Sequence, residues 1–247
     1  MDKRELLPKD AEDVEGYLEC EKWWIFAVLM FVAGFYGAYT YSIRGGVFCN
    51  AQTANFVLFA MAVGNGRWRN ALYYLIPMGA YLLGAIVSEA VPKPIKKRHL
   101  IRWDTLLIFI EMVVVIVLGM LPESIPFQVS QIAINFICSM QYNTFRQAEG
   151  IPMATTFCTN HLRQTGVAIV KAVRKHGDRN QVNRFVNHVS MLLVFVLGAV
   201  LSTILCRIFK GKAIWGTLIP LLIVLIDLLY ADLKKEHDYI EATPHGH

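Results

Sequence analysis

Charge is scarce in this chain: Asp, Glu, Lys and Arg together make up 17% of it, against 55% hydrophobic residues. That balance excludes an intrinsically disordered polymer, which needs low hydrophobicity and dense charge. It also falls short of the roughly 25% charge usual in water-soluble domains. The net charge of +5 is not gathered into a basic surface interleaved with aromatics, so no nucleic-acid partner is expected. Cysteine is sparse and odd in number. Cys20, Cys49, Cys138, Cys158 and Cys206 include no CxxC and no Cys/His metal spacing, which leaves no disulfide framework and no expected metal site. HExxH, GxSxG and phosphate-cradling glycine loops are missing as well. Nothing here therefore asks for an enzyme or a cofactor.

What the chain has is long apolar blocks and a mean hydropathy of +0.42. A helix needs about 20 residues at 1.5 Å each to cross roughly 30 Å of hydrocarbon, and several blocks reach that length. The expected class is an all-α, polytopic, multi-pass protein of the cell membrane, with the lipid bilayer as its first partner. The first block starts at Trp23 after the charged segment 2–22, which is not the build of a cleaved secretory signal. Lys93, Lys96, Lys97, Arg98 and Arg102 cluster at block ends. By the positive-inside rule they set an orientation with the N- and C-termini cytoplasmic.

Along the chain, 1–22 reads as an N-terminal tail and 234–247 as a C-terminal one. Spans are expected at 23–43, 70–91, 104–121, 127–145, 189–208 and 213–233, six in all. Two further apolar stretches, 53–64 and 152–173, read as short re-entrant or broken helices. Leu83-Gly84-Ala85-Ile86-Val87-Ser88 resembles Leu197-Gly198-Ala199-Val200-Leu201-Ser202, and Trp103-Asp104-Thr105-Leu106 resembles Trp215-Gly216-Thr217-Leu218. Thr53 with Asn55 falls opposite Thr159 with His161. The chain thus divides into two repeats, 23–121 and 122–233, each of three spans plus one short helix, and the odd number of crossings inverts the second copy. Small residues Ala33, Gly34, Gly37 and Ala38 let helices approach closely and leave homo-oligomerisation open.

Polar residues recur where hydrocarbon is expected, which is costly unless they face protein or water. Asn50, Gln52, Thr53 and Asn55 in the first half, and Thr155, Thr156, Thr159, Asn160 and His161 in the second, are the candidate solute-binding set, with Gln141 and Asn143 lining the wall. Gln128, Gln131, Asn135, Ser139 and Asn143 recur at helical steps and form one polar stripe. Broken helices of this kind build the central sites of many secondary transporters, because their ends expose unpaired N–H groups. The plainer alternative is that these side chains only bond helix to helix, at about 0.6 kcal/mol each. Glu111 and Asp227 sit inside spans and are candidates for proton coupling, against a purely structural bond to a neighbouring helix. Arg44, Glu149 and Arg163 flank the short helices as gating candidates, with snorkelling as the alternative for the arginines.

Asn50-Ala51-Gln52-Thr53-Ala54-Asn55, Tyr74-Leu75-Ile76-Pro77, Met140-Gln141-Tyr142-Asn143-Thr144-Phe145-Arg146 and Thr155-Thr156-Phe157-Cys158-Thr159 with Leu162-Arg163 resemble the YoaK family of bacterial membrane proteins, a domain of unknown function (DUF1275). The likeness covers nearly the whole chain. That family's short helices carry a Thr-Gly-Asn element, where this chain has Ala54 in the first half and Thr159-Asn160-His161 in the second. The resemblance implies a bacterial inner-membrane protein and carries over no activity. The expected function is a transporter of a small polar or anionic solute, with proton coupling as an option. A passive channel is the near alternative, and a non-transporting scaffold or sensor the alternative of a different class.

Overall fold

The computed structural model describes residues 16–92, 101–174, 178–240 and 242–245. Most of the expected N-terminal tail, and the orienting residues Lys93, Lys96, Lys97 and Arg98, lie outside the described residues. The fold is all-α apart from a two-residue hairpin. Its helices are α1 (Trp23–Ile43), α2 (Gln52–Gly64), α3 (Trp68–Ala90), α4 (Trp103–Met120) and α5 (Phe127–Thr144). After the hairpin, β1 (Gln147–Ala148) with β2 (Ile151–Pro152), come α6 (Cys158–Arg174), α7 (Arg179–Phe209) and α8 (Leu218–Tyr230).

Local chemistry sets the boundaries. Gly45 and Gly46 follow α1 at φ 84° and 71°, a left-handed backbone open to glycine at no steric cost. Pro122 stands just past the end of α4 and Pro126 just before α5, where a missing N–H costs nothing. The second short helix starts later than its apolar pattern implies, at Cys158 and not at 152. Residues 151–152 are taken up by the hairpin, and 153–157 form a loop.

Among the described residues, four helical stretches are long and apolar enough to cross a bilayer: Trp23–Ile43, Trp68–Ala90, Trp103–Met120 and Arg179–Lys235. The last contains a reversal. Lys210 takes φ 49°, a 3-10 segment Lys210–Thr217 follows, and α8 returns along α4. Trp215 bonds Ile116 O near the end of α4, while Asp232 bonds Arg102 N at its start. Helix α5 is as long as α4, but its polar stripe keeps it below the hydropathy of the other four. The outer faces of α3, α7 and α8 are apolar and exposed, with Leu72, Leu82, Leu193, Leu197, Ile219 and Ile226 among them. Apolar surface of this extent belongs against lipid; this is a membrane protein.

Helix α1 is the hub, with Ile25, Leu29, Met30, Phe35, Tyr36 and Tyr39 fully buried. It runs beside α7 in the same direction. Gly34 lies on the carbonyl of Phe195 and Gly198 on the carbonyl of Phe31. Helices α3 and α5 repeat the arrangement: Tyr73 meets Gln131 near their starts, Gly84 meets the Phe136 carbonyl midway, and Asn143 donates to Ser88 near their ends. The first and last described segments gather at one end of the bundle, where Glu19 pairs with Lys235 and Glu21 accepts from the His245 backbone N–H at 2.7 Å. At the opposite end Arg44 pairs with Glu123 at 3.7 Å, and Glu123 also accepts from Gly211 N at 2.8 Å.

Candidate functional site

After α1 the chain doubles back. Loop residue Asn50 donates to the carbonyl of Ala33, halfway along α1, at 3.0 Å. Gly37 makes room for it, since a methyl there would stand 3.1 Å from the Asn50 amide. Helix α2 then returns to the end from which α3 departs. The Asn55 side chain clamps the turn, accepting from Phe48 N at 3.1 Å and donating to Phe48 O at 2.7 Å. It also donates to Gln52 Oε1 at 3.1 Å, and Gln52 donates to Asn135 Oδ1 at 2.8 Å. Asn135 donates to Gln131 O, and Gln131 donates to Arg44 O and to the Tyr73 hydroxyl. Of the expected first-half set, Gln52 and Asn55 thus join one bonded amide chain and Asn50 bonds α1 separately, while Thr53 is exposed on the outer surface. The stripe of α5 faces inward as its spacing requires, with Gln131, Asn135 and Ser139 buried.

The second half repeats the clamp with different chemistry. His161 Nε2 bonds the carbonyl of Ala154, seven residues back, at 2.7 Å, as Asn55 bonds Phe48. A carbonyl can only accept, so Nε2 carries the proton and Nδ1 accepts from His188 Nδ1–H across 3.0 Å. Burial pulls the His161 imidazole below its ordinary value of 6.5, opposed by the bond to Ala154. The loop before α6 is docked by an edge contact of Phe157 with Tyr142 at 4.5 Å between centroids.

Beside that loop opens a cleft of about 440 Å³, lined by Tyr142, Asn143, Arg146, Met153, Ala154 and Asn160. Two expected residues, Asn143 and Asn160, stand in its wall. Asn143 donates to Ser88 Oγ at 2.9 Å and to Glu89 at 3.3 Å, and Arg146 donates to Asn143 Oδ1 at 2.8 Å and pairs with Glu89 at 3.2 Å. Next along the loop, Thr155 and Thr156 are buried with neither hydroxyl partnered, and Gln141 is buried with Oε1 unpartnered while its amide donates to Leu29 O at 3.4 Å. Thr159 and Arg163 face outward. Counted from the Phe31/Phe136 pair, Tyr41 corresponds to Arg146, and its ring stacks on Phe48 at 4.4 Å.

The family model described as a protein of unknown function (DUF1275) matches residues 25–226. The chain belongs to the DUF1275 family. No curated protein and no solved structure matches it.

In this DUF1275 chain the expected proton carriers lie apart. Glu111 is fully buried in the middle of α4, both oxygens unpartnered, with Tyr36 of α1 as its electrostatic neighbour. Asp227 is only partly buried and stands near Glu19 and Lys235, toward the end that gathers the first and last described segments. Of the expected gating residues, Arg44 is buried against Tyr39 and Glu123, Arg163 bonds its neighbour Asn160 at 3.3 Å, and Glu149 accepts from Trp23 N at 3.2 Å.

The sequence reading passed over three features. His188 is buried against His161. Asp104 is buried as well. Arg102, expected to be an orientation marker, is buried and bonds Asp232 at 2.9 Å as well as Glu236. In sequence each is a charge or imidazole near the edge of an apolar block, and their pairing depends on which helix ends meet.

Proposed function

We propose that this protein carries a small polar or anionic solute across the cell membrane through the loop ahead of α6. The architecture we infer has six spans, α1, α3, α4, α5, α7 and α8, with α2 and α6 re-entrant, in two inverted repeats. Matched details support it. Gly84 on Phe136 corresponds to Gly198 on Phe31, and the Asn55 clamp on Phe48 corresponds to the His161 clamp on Ala154. Helices α1, α4 and α7 lead away from the terminal end while α3, α5 and α8 lead back, so each helix opposes its counterpart.

The observation that carries the solute reading is the buried, unpartnered set Thr155 Oγ1, Thr156 Oγ1 and Gln141 Oε1 beside an open cleft. Buried polar atoms are normally bonded, and a passing solute with its own donors and acceptors supplies what the protein withholds. Arg146 stands at the cleft with its charge shared with Glu89 at 3.2 Å. The scaffold or sensor reading rests on the first half, where the Asn50, Gln52 and Asn55 amides bond protein and need no ligand.

Flux into proteoliposomes decides between them, screened with small anions, amino acids and nucleobases. The shape-conserving pair Thr155→Val and Thr156→Val removes hydroxyls that bond nothing in the protein. Solute flux that falls at least tenfold in these variants at an unchanged melting temperature is the expected result. Flux no greater than in empty vesicles, from a folded wild type, sinks the transport reading.

A further inference from the structure

We propose a second ligand site at the terminal end of the bundle, for a small organic ammonium with a carbonyl-type oxygen two or three bonds away, the amino-acid class. A cavity of about 350 Å³ opens there, lined by Arg102, Trp103, Asp104, Thr144, Ile240 and Ala242 among others. This is the small end of the range for ligand sites. Arg102 and Asp104 are each only 5% exposed. Three anchors hold the Arg102 region: its Nε donates to Asp232 Oδ1 at 2.9 Å, its Nη2 to Glu236, and its backbone N–H to Asp232 Oδ2 at 2.9 Å. Thr105 adds a bond to the same carboxylate at 2.7 Å. The guanidinium is therefore fixed before any ligand arrives, which lowers the entropy cost of binding. Yet its third nitrogen, Nη1, has no partner, and neither has Oδ2 of Asp104.

A buried donor and a buried acceptor of opposite charge, both unpartnered on residues that line one cavity, define what would fit. A simple anion satisfies Arg102 and repels Asp104. A bare cation does the reverse, and no cluster of three metal-ligating side chains occurs among the described residues. One molecule that donates from an ammonium to Asp104 and accepts from Arg102 answers both. Among the described residues, Asp232 and Glu236 already offset the guanidinium and Glu89 also lines the cavity, so Asp104 is left to draw the ammonium. Trp103, Ile240 and Ala242 give the lining its apolar part, beside the polar Ser88 and Glu89, and the cavity volume limits the carbon frame to a small one. Trp103 itself is held by its indole N–H donating to Thr144 at 2.8 Å.

This site does not rest on the transport reading, and equilibrium binding tests it without any flux. Calorimetric titration of the purified full chain in detergent would use L-alaninamide and L-alanine, against ethylamine and acetamide, which each lack one of the two groups. At least one of the first pair should bind saturably and at least tenfold more tightly than either of the second. Asp104→Asn should remove that preference. Ala242→Leu narrows the cavity without touching a charge and should weaken binding tenfold, so it decides the matter if the Asp104 variant fails to fold. Absence of saturable binding by both alanine compounds overturns the proposal, as does unchanged affinity in a folded Ala242→Leu protein.

Discussion

Gly34→Ala is the sharpest test of how the two halves hold together. A methyl at this position would stand 2.0 Å from the Phe195 carbonyl oxygen, whereas ordinary contacts begin at 3.4 Å. The obstacle is backbone, so no side chain can swing aside, and α1 and α7 must part locally by about 1.4 Å, the difference of those two distances. Overpacking of this kind costs about 1–3 kcal/mol. Gly198 meets the Phe31 carbonyl at the same 2.0 Å across the same helix pair, so the two sites share one separation. Once Gly34→Ala has opened the gap, Gly198→Ala should cost less than it does alone. The double variant should then fall short of additivity by roughly 0.5–3 kcal/mol. Reversible unfolding of the single and double variants in detergent measures this. Gly79→Ala is the control, since nothing stands within 4 Å of its added methyl and alanine favours helix by about 1 kcal/mol. Strict additivity at 34 and 198, or single variants as stable as the control, would refute the reasoning.

Two further outcomes follow from the clamps. Asn55→Ala leaves both Phe48 backbone groups without their side-chain partner, at about 1–3 kcal/mol for each group stranded away from water; Thr53→Ala, on the exposed face, should stay within about 0.5 kcal/mol. Thermal melts of the two variants check this, and equal losses would contradict it. Burial holds the folded His161 below its ordinary 6.5, so below that pH the unfolded chain binds the extra proton. Stability is then fully present above 6.5 and declines as pH falls toward the lowered folded value. His161→Asn, the residue of the first half, should reduce the pH dependence of the melting temperature between about pH 5 and 8, where histidine titrates, with the buried His188 beside it keeping the remainder.

Much of this was written into the apolar pattern. The blocks expected at 23–43 and 104–121, and the small residues Gly34 and Gly37, mark helices and close approaches because hydropathy and small size act locally. The inward face of the α5 stripe was legible too, since lipid tolerates no other orientation of five polar side chains. The site was only half legible. Composition could not distinguish Gln52, which spends its amide on Asn135, from Thr155, which spends its hydroxyl on nothing, because bonding depends on partners brought in by other helices. The same holds for Arg102, Asp232 and Glu236, whose encounter requires α4 and the end of α8 to meet across more than a hundred residues.

The stack of Tyr41 on Phe48 makes the two halves unequal. Where the first half places two rings in contact, the second has Arg146 and Ala154 beside open space. Under the transport reading the molecule rests with its doorway toward the end that gathers the first and last described segments, and the mirror-image doorway is bolted by one aromatic pair. Such a pair is worth about 0.5–1.5 kcal/mol beyond its buried area, a bias of roughly two- to tenfold toward this resting posture. Sidedness at rest would then be set by two rings, by the smallness of Ala154 and by the hairpin that stands before α6 and not before α2.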